Sequence, residues 1–353
     1  MRCRLVLLVL VLTLVSGSSR GQTTTETWLR PTNEPGAAGK PIQVFILMGQ
    51  SNMVGMGDLG PVTAKGSLLA LTRTDKKYPW LIDGDKWTER KDVYYYDARV
   101  KKGAPLSPTA NNGKSIGPEL GLGYVLGQVY EEPVLVLKSC IGNRSLGWDL
   151  LPPGSPSFVY EGRTYAGYKQ TPDSWVEGQP KKEVNWYAGK QYDDDLANAK
   201  AALDSLAKWY PGYQNQGYVV AGFVWWQGHK DTGNAAHASK YEENLVRLIE
   251  SLRKDYKDYA TPQAKFVLAT GCGNPGREGL GKKIAEAQLA VGDASKYPQF
   301  KGNVKALDTR DLWREANVSP KEQGYHYNRN AETYLEVGLR MGGALAELLE
   351  KKK

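Results

Sequence analysis

Five short stretches of the chain are almost wholly apolar, rich in β-branched and aromatic side chains, and bounded by Gly, Pro or Asp: residues 44–48, 93–96, 134–137, 218–226 and 266–269. Runs of this length read as strands buried on both faces. Between and after them, apolar residues recur at helical spacing over 118–130, 193–209, 239–256, 282–291 and 331–350. The alternation predicts a single α/β domain over 41–353, a three-layer, doubly wound parallel sheet with helices on both faces. In such sheets the ligand site lies beyond the carboxyl ends of the strands, where the strand order reverses.

Two stretches break the alternation, 58–90 and 148–192. The second is dense in aromatic residues, among them Trp148, Tyr160, Tyr165, Trp175 and Trp186. A long aromatic loop is predicted to be ordered, so 148–192 reads as an insertion over the active-site end. Aromatic faces suit sugar rings, and they serve equally well to pack the insertion down.

The N-terminus carries Arg2 and Arg4, an apolar run over 5–14 and then small polar residues, the form of a secretory signal over 1–21. A polar leader over 22–40 follows. No later segment has the ~20 apolar residues of a membrane span, so the mature chain is expected in a secreted or periplasmic location with no membrane insertion. The formal charge of +8 falls once Arg2, Arg4 and Arg20 are removed, and the other basic residues are scattered apart from Lys351, Lys352 and Lys353. An exported chain without a basic stripe is unsuited to nucleic acid. Beyond the signal only Cys140 and Cys272 remain, too few for a disulfide framework and without zinc-motif spacing; they read either as one bridge or as two buried thiols. No metal or cofactor is called for, and the oligomeric state is left open.

The candidate chemistry begins at the end of the 44–48 strand, which runs into Gly49-Gln50-Ser51-Asn52-Met53. A small nucleophile at a strand end, flanked by glycine, suits acyl transfer. Ser51 needs a base, and only His229, His237 and His326 are available. His326 stands in a loop before the last helical segment; His237 reads as a surface histidine near a helix start.

The Gly49-Gln50-Ser51-Asn52-Met53 block resembles the nucleophile block of the SGNH hydrolases, in the branch of carbohydrate esterase family 6 and the sialate O-acetylesterase-like proteins. Gly117-Pro118-Glu119, the segment from Leu137 through Cys140 to Gly142, Trp225-Trp226-Gln227-Gly228 and Gly324-Tyr325-His326 follow in the order of that branch. The resemblance implies a flavodoxin-like fold and an esterase that removes acetyl groups from a carbohydrate ester. Ser51 is then the nucleophile and His326 the base. The oxyanion donors are the N–H groups of Ser51 and Gly142 and the side chain of Gln227. Gln50, Asn52, His229 and Trp148 are the substrate-binding candidates.

Two departures accompany the resemblance. Gln323 stands where the family commonly has an aspartate three residues before the histidine, and His229 replaces the glutamate that commonly follows Trp-x-Gln-Gly. The imidazole is then oriented by Gln323, by a backbone carbonyl, or by Glu322, Asp231 or Asp308. The missing acids also motivate a second reading, a catalytically weak glycan-binding protein on the same scaffold.

Overall fold

The structure, a computed structural model, describes residues 34–350; the expected signal and most of the expected leader lie outside these. Seven strands form the main sheet: β1 (Ile42–Gly49), β2 (Arg90–Asp97), β3 (Lys102–Leu106), β4 (Val134–Lys138), β5 (Tyr218–Trp226), β6 (Ala260–Ala269) and β7 (Val304–Leu307). Their spatial order is β7-β6-β5-β1-β4-β2-β3. All neighbours are parallel except β3, which runs antiparallel to β2 at one edge. The order reverses at β1, which pairs with β4 on one side and β5 on the other.

Five helices cover the sheet: α1 (Glu119–Val129), α2 (Lys190–Asp204), α3 (Ala235–Asp255), α4 (Gly279–Val291) and α5 (Ala331–Leu348). The period-2 alternation of β1 divides the core between the faces. Phe45 and Leu47 pack with Leu120, Leu122 and Leu126 of α1 and with Leu335, Val337 and Met341 of α5. Ile42, Val44, Ile46 and Met48 pack with residues of α2, α3 and α4. Each fully buried Leu, Ile, Val or Phe contributes roughly 1.5–3 kcal/mol. On the first face α1 and α5 meet backbone to backbone: a Cβ on Gly121 would stand 2.3 Å from the Leu335 carbonyl oxygen, and one on Gly338 would stand 2.2 Å from that of Pro118.

The five predicted strands and five predicted helices are all present. Strands β3 and β7 were not predicted; β3 carries Lys102, Gly103 and Pro105 and so lacks an apolar run. Insertion 148–192 is ordered around its own three-stranded antiparallel sheet, Phe158–Tyr160, Arg163–Tyr165 and Ser174–Trp175. His237 is buried in α3, contrary to its reading as a surface residue, and its Nε2 lies 3.0 Å from Asp173 of the insertion.

The last residue of β4 places a charge inside the fold. The Lys138 side chain is 1% exposed, and its ammonium donates to Glu119 Oε2 at 2.7 Å and to the Val54 carbonyl at 2.9 Å. Glu119 in turn accepts the Gly117 N–H at 2.7 Å. Removing one partner of such a pair strands the other charge away from water, which costs about 3–5 kcal/mol. Lys138→Met is therefore expected to lower unfolding stability by about that amount in urea titrations, and the double variant Glu119→Leu/Lys138→Met to recover part of it. An unchanged midpoint for Lys138→Met would remove the pair from any structural role.

Candidate active site

The carboxyl ends of β1, β4 and β5 open into a cavity of about 590 Å³ lined by Gln50, Ser51, Gly142, His229, Lys230 and His326, among others. At its base β1 turns through Gly49 into the short helix Ser51–Val54. Gly49 has φ +151°, and a Cβ there would stand 2.3 Å from the Trp226 carbonyl oxygen, so only glycine lets the segment carrying Ser51 lie this close to β5. Ser51 follows as the first residue of that helix, 5% exposed, with its Oγ 2.7 Å from His326 Nε2.

His326 is carried by an unusual turn. His326, Tyr327, Asn328 and Arg329 all have φ between 49° and 60°, the left-handed region, at a cost of roughly 1–2 kcal/mol each. Side chains hold the turn in place. Asn328 Oδ1 accepts the N–H groups of Gln323 and Gly324, and its Nδ2 donates to the Arg314 carbonyl. The Tyr327 ring stacks on Trp226 at 5.2 Å between centroids. Arg329 donates to Asp58 at 2.7 Å, and the Tyr334 hydroxyl lies 3.2 Å from the His326 carbonyl.

No acid completes a triad among the described residues. Among the described residues, Ser51 Oγ is the one hydrogen-bonding partner of the His326 ring. Gln323, the expected orienter, is turned away and donates its amide to the Tyr325 carbonyl at 3.0 Å. Asp308 is paired with Arg310, Glu322 is exposed, and Asp231 is engaged elsewhere. Burial, the nearby His229 and the Arg329 guanidinium together hold His326 down at about 4. His229 is also lowered, by burial and by Lys230. Its ring lies 6.4 Å from that of His326.

The expected oxyanion groups separate into two kinds. Neither the Ser51 nor the Gly142 N–H donates to another described group, and a Cβ on Gly142 would stand 3.5 Å from Ser51 Cβ. Gln227 does not reach the cavity, contrary to its assignment as a donor. It is 0% exposed, and its amide nitrogen faces three acceptors: Asp231 Oδ2 at 2.6 Å, the Arg144 carbonyl at 2.9 Å and Gln50 Oε1 at 3.1 Å. Its own Oε1 accepts from Tyr241. With two hydrogens and three acceptors, the amide has none to spare. Burial pushes the Asp231 carboxyl up, opposed by His237, by Gln227 and by the N–H groups of Leu146 and Gly147 that it accepts.

Among the substrate-binding candidates, Gln50 and His229 line the cavity. Asn52 and Trp148 do not. Asn52 is 0% exposed with its Oδ1 on the Tyr334 hydroxyl, and Trp148 packs with Leu151, Ala166, Trp175 and Ala188 inside the insertion. No residue of the insertion lines this cavity among those described. Sequence reasoning passed over Lys230, Asn143 and Tyr325, each of which lies next to a residue it had selected. Cys140 and Cys272 are separate buried thiols, the second of the two readings left open.

The doubly wound sheet with its serine–histidine contact at the point of strand reversal defines a class, the α/β carboxylic ester hydrolases of the SGNH type. Residues 171–347 match the family described as carbohydrate esterase, sialic acid-specific acetylesterase, and the chain belongs to that family of carbohydrate acetylesterases. The match includes Gln227 and His326; Ser51 precedes it. No curated protein sequence matches. Among solved structures, a protein of Arabidopsis thaliana is 16% identical, covers 87% of this chain and 98% of its own, and shares the fold at a TM-score of 0.53. A carbohydrate acetylesterase from Xanthomonas citri is 14% identical, with 88% and 57% covered and a TM-score of 0.47. NanS is 13% identical, with 89% and 99% covered and a TM-score of 0.46.

Because the Gln323 amide bonds only to its own loop, Gln323→Ala is expected to leave kcat/KM for acetate release within about threefold of wild type, less than ~1 kcal/mol in activation free energy. A loss of about 100-fold would return Gln323 to the imidazole.

Proposed function

We propose that this chain is an exported serine O-acetylesterase that removes acetyl groups from a carbohydrate through an acyl-enzyme on Ser51. The observation that carries the reading is the 2.7 Å contact between His326 Nε2 and Ser51 Oγ at the base of the cavity. A depressed His326 keeps the imidazole neutral and able to accept a proton at neutral pH. The N-terminal basic and apolar pattern supports export, and no helix among the described residues is long and apolar enough to cross a membrane.

The steps follow from these atoms. Ser51 Oγ attacks the ester carbonyl carbon as its proton passes to His326 Nε2, and the carbonyl oxygen becomes an oxyanion facing the free N–H groups of Ser51 and Gly142. The intermediate collapses by breaking the bond to the sugar oxygen, which takes the proton from His326 and leaves as the alcohol. Water then attacks the acetyl-Ser51 carbonyl while His326 accepts its proton. Acetate departs, and the proton returns to Ser51 Oγ.

Two measurements test this reading. Ser51→Ala is expected to lower kcat for acetate release from acetylated oligosaccharides by at least about 10⁴-fold while the thermal unfolding curve stays in place. Wild-type turnover in that variant would overturn the mechanism. In the wild type, protonation of His326 stops base catalysis, so kcat/KM is expected to hold through pH 6 and to fall only toward its pKa of about 4. An acid limb centred near the ordinary histidine value of ~6.5 would mean that burial, His229 and Arg329 do not depress the base.

A further inference from the structure

The displaced Gln227 leaves open which side chain completes the oxyanion site. Gln50, next to the nucleophile, is 2% exposed and lines the cavity. Its Oε1 is held by three donors: Gln227 Nε2 at 3.1 Å, the Lys230 N–H at 3.1 Å and the Gly228 N–H at 3.4 Å. This contact set fixes the orientation of the amide, because a flipped Gln50 would aim its own N–H groups at three donors. Its Nε2 has no protein partner among the described residues, yet it is not among the sealed, unpaired buried atoms. An N–H group that is neither bonded nor sealed, on a residue lining the Ser51 cavity, is free to donate to a bound ligand.

We infer that Gln50 Nε2 is the side-chain donor to the oxyanion, and that Gln227 and Asp231 are positioning residues acting through it. The inference rests on Ser51 being the nucleophile. Asp231, anchored by the Leu146 and Gly147 N–H groups, takes one hydrogen of the Gln227 amide and so sets that amide's orientation. The second hydrogen of Gln227 is shared between the Arg144 carbonyl and Gln50 Oε1, and the Gly228 and Lys230 N–H groups close the cradle around that oxygen. The reactive amide is thus preorganised from behind, and little reorganisation is needed when charge develops on the ester oxygen.

The cleanest variant is Gln50→Glu. It keeps the cradled acceptor oxygen, and therefore the packing, while replacing only the free N–H₂ with an oxygen. Its kcat for acetate release is expected to fall by about 10²–10³-fold with KM nearly unchanged, the signature of a contact made in the transition state. Gln50→Ala is expected to do the same. Gln227→Ala should lower kcat in the wild-type background but add almost nothing to Gln50→Ala, since a positioning residue has no effect once the group it positions is gone. Wild-type kcat in Gln50→Glu, or a change confined to KM, would overturn the assignment. A full additional loss from Gln227→Ala in the Gln50→Ala background would overturn the relay. The nucleophile is tested separately by treating the wild type with a fluorophosphonate and locating the adduct by mass spectrometry. Absence of the adduct from Ser51 would refute the underlying mechanism, whatever the Gln50 variants do.

Discussion

A lysine ammonium taken fully out of water must find acceptors at once, and Lys138 finds them in Glu119 and in the Val54 carbonyl at the end of the short helix Ser51–Val54. That requirement ties three separate segments together. Through the Val54 carbonyl, β4 grips the chain just after Ser51; through Glu119 Oε1, the start of α1 is bound to the Gly117 N–H. A hydrophobic pair could fill the same volume, often at no loss of stability, but it would leave the Val54 carbonyl to the Asn111 amide alone. The ion pair thus ties β4 to the turn after Ser51 as well as filling the core.

The opposite neighbour of β1 works in the same way with neutral groups. β5 ends at Trp226, and the next residue, Gln227, holds Gln50 on the other side of Ser51. Gln50 is therefore held from β5 and the turn after Ser51 from β4. Strand reversal at β1 opens a crevice between the connections on its two sides, and there β4 and β5 present their carboxyl ends beside the turn that carries Ser51. Gly49, which admits the close approach to the Trp226 carbonyl, is the steric condition for the contact on the β5 side.

The parts legible in the sequence were those set by local pattern. Uninterrupted apolar runs marked the central strands because both faces of a parallel sheet are buried; the edge strand β3, with Lys102 and Pro105, has no such pattern to show. Ser51 and His326 stand out in the sequence because both lie in blocks at the ends of elements, and the structure brings their side chains to 2.7 Å. Gln227 is an oxyanion donor by resemblance alone, and it does stand directly after the end of β5 as that block implies. What no linear pattern records is that Asp231, Arg144 and Gln50 surround its amide. Trp148 likewise looked like a sugar platform until the insertion proved to have a core of its own. Whether an aromatic or amide faces a ligand or a neighbour is settled by long-range contacts.

The absence of an acid beside His326 leaves two functions to be met by other means, orientation and charge stabilisation. The left-handed turn fixes where the His326 backbone stands, and the ring contacts bear on the first function: the Tyr325 ring packs against the imidazole at 4.7 Å between centroids while Nε2 meets Ser51 Oγ. The second function is unmet on the histidine itself, since His229 and Arg329 both disfavour the imidazolium. On the proposed chemistry the proton transfer from Ser51 is therefore less favourable than in a carboxylate-backed site. Stabilisation must then be concentrated at the other charge formed in the same step, the oxyanion. A preorganised amide at Gln50, supported from behind by Gln227 and Asp231, is what a serine–histidine pair without an acid requires at that point.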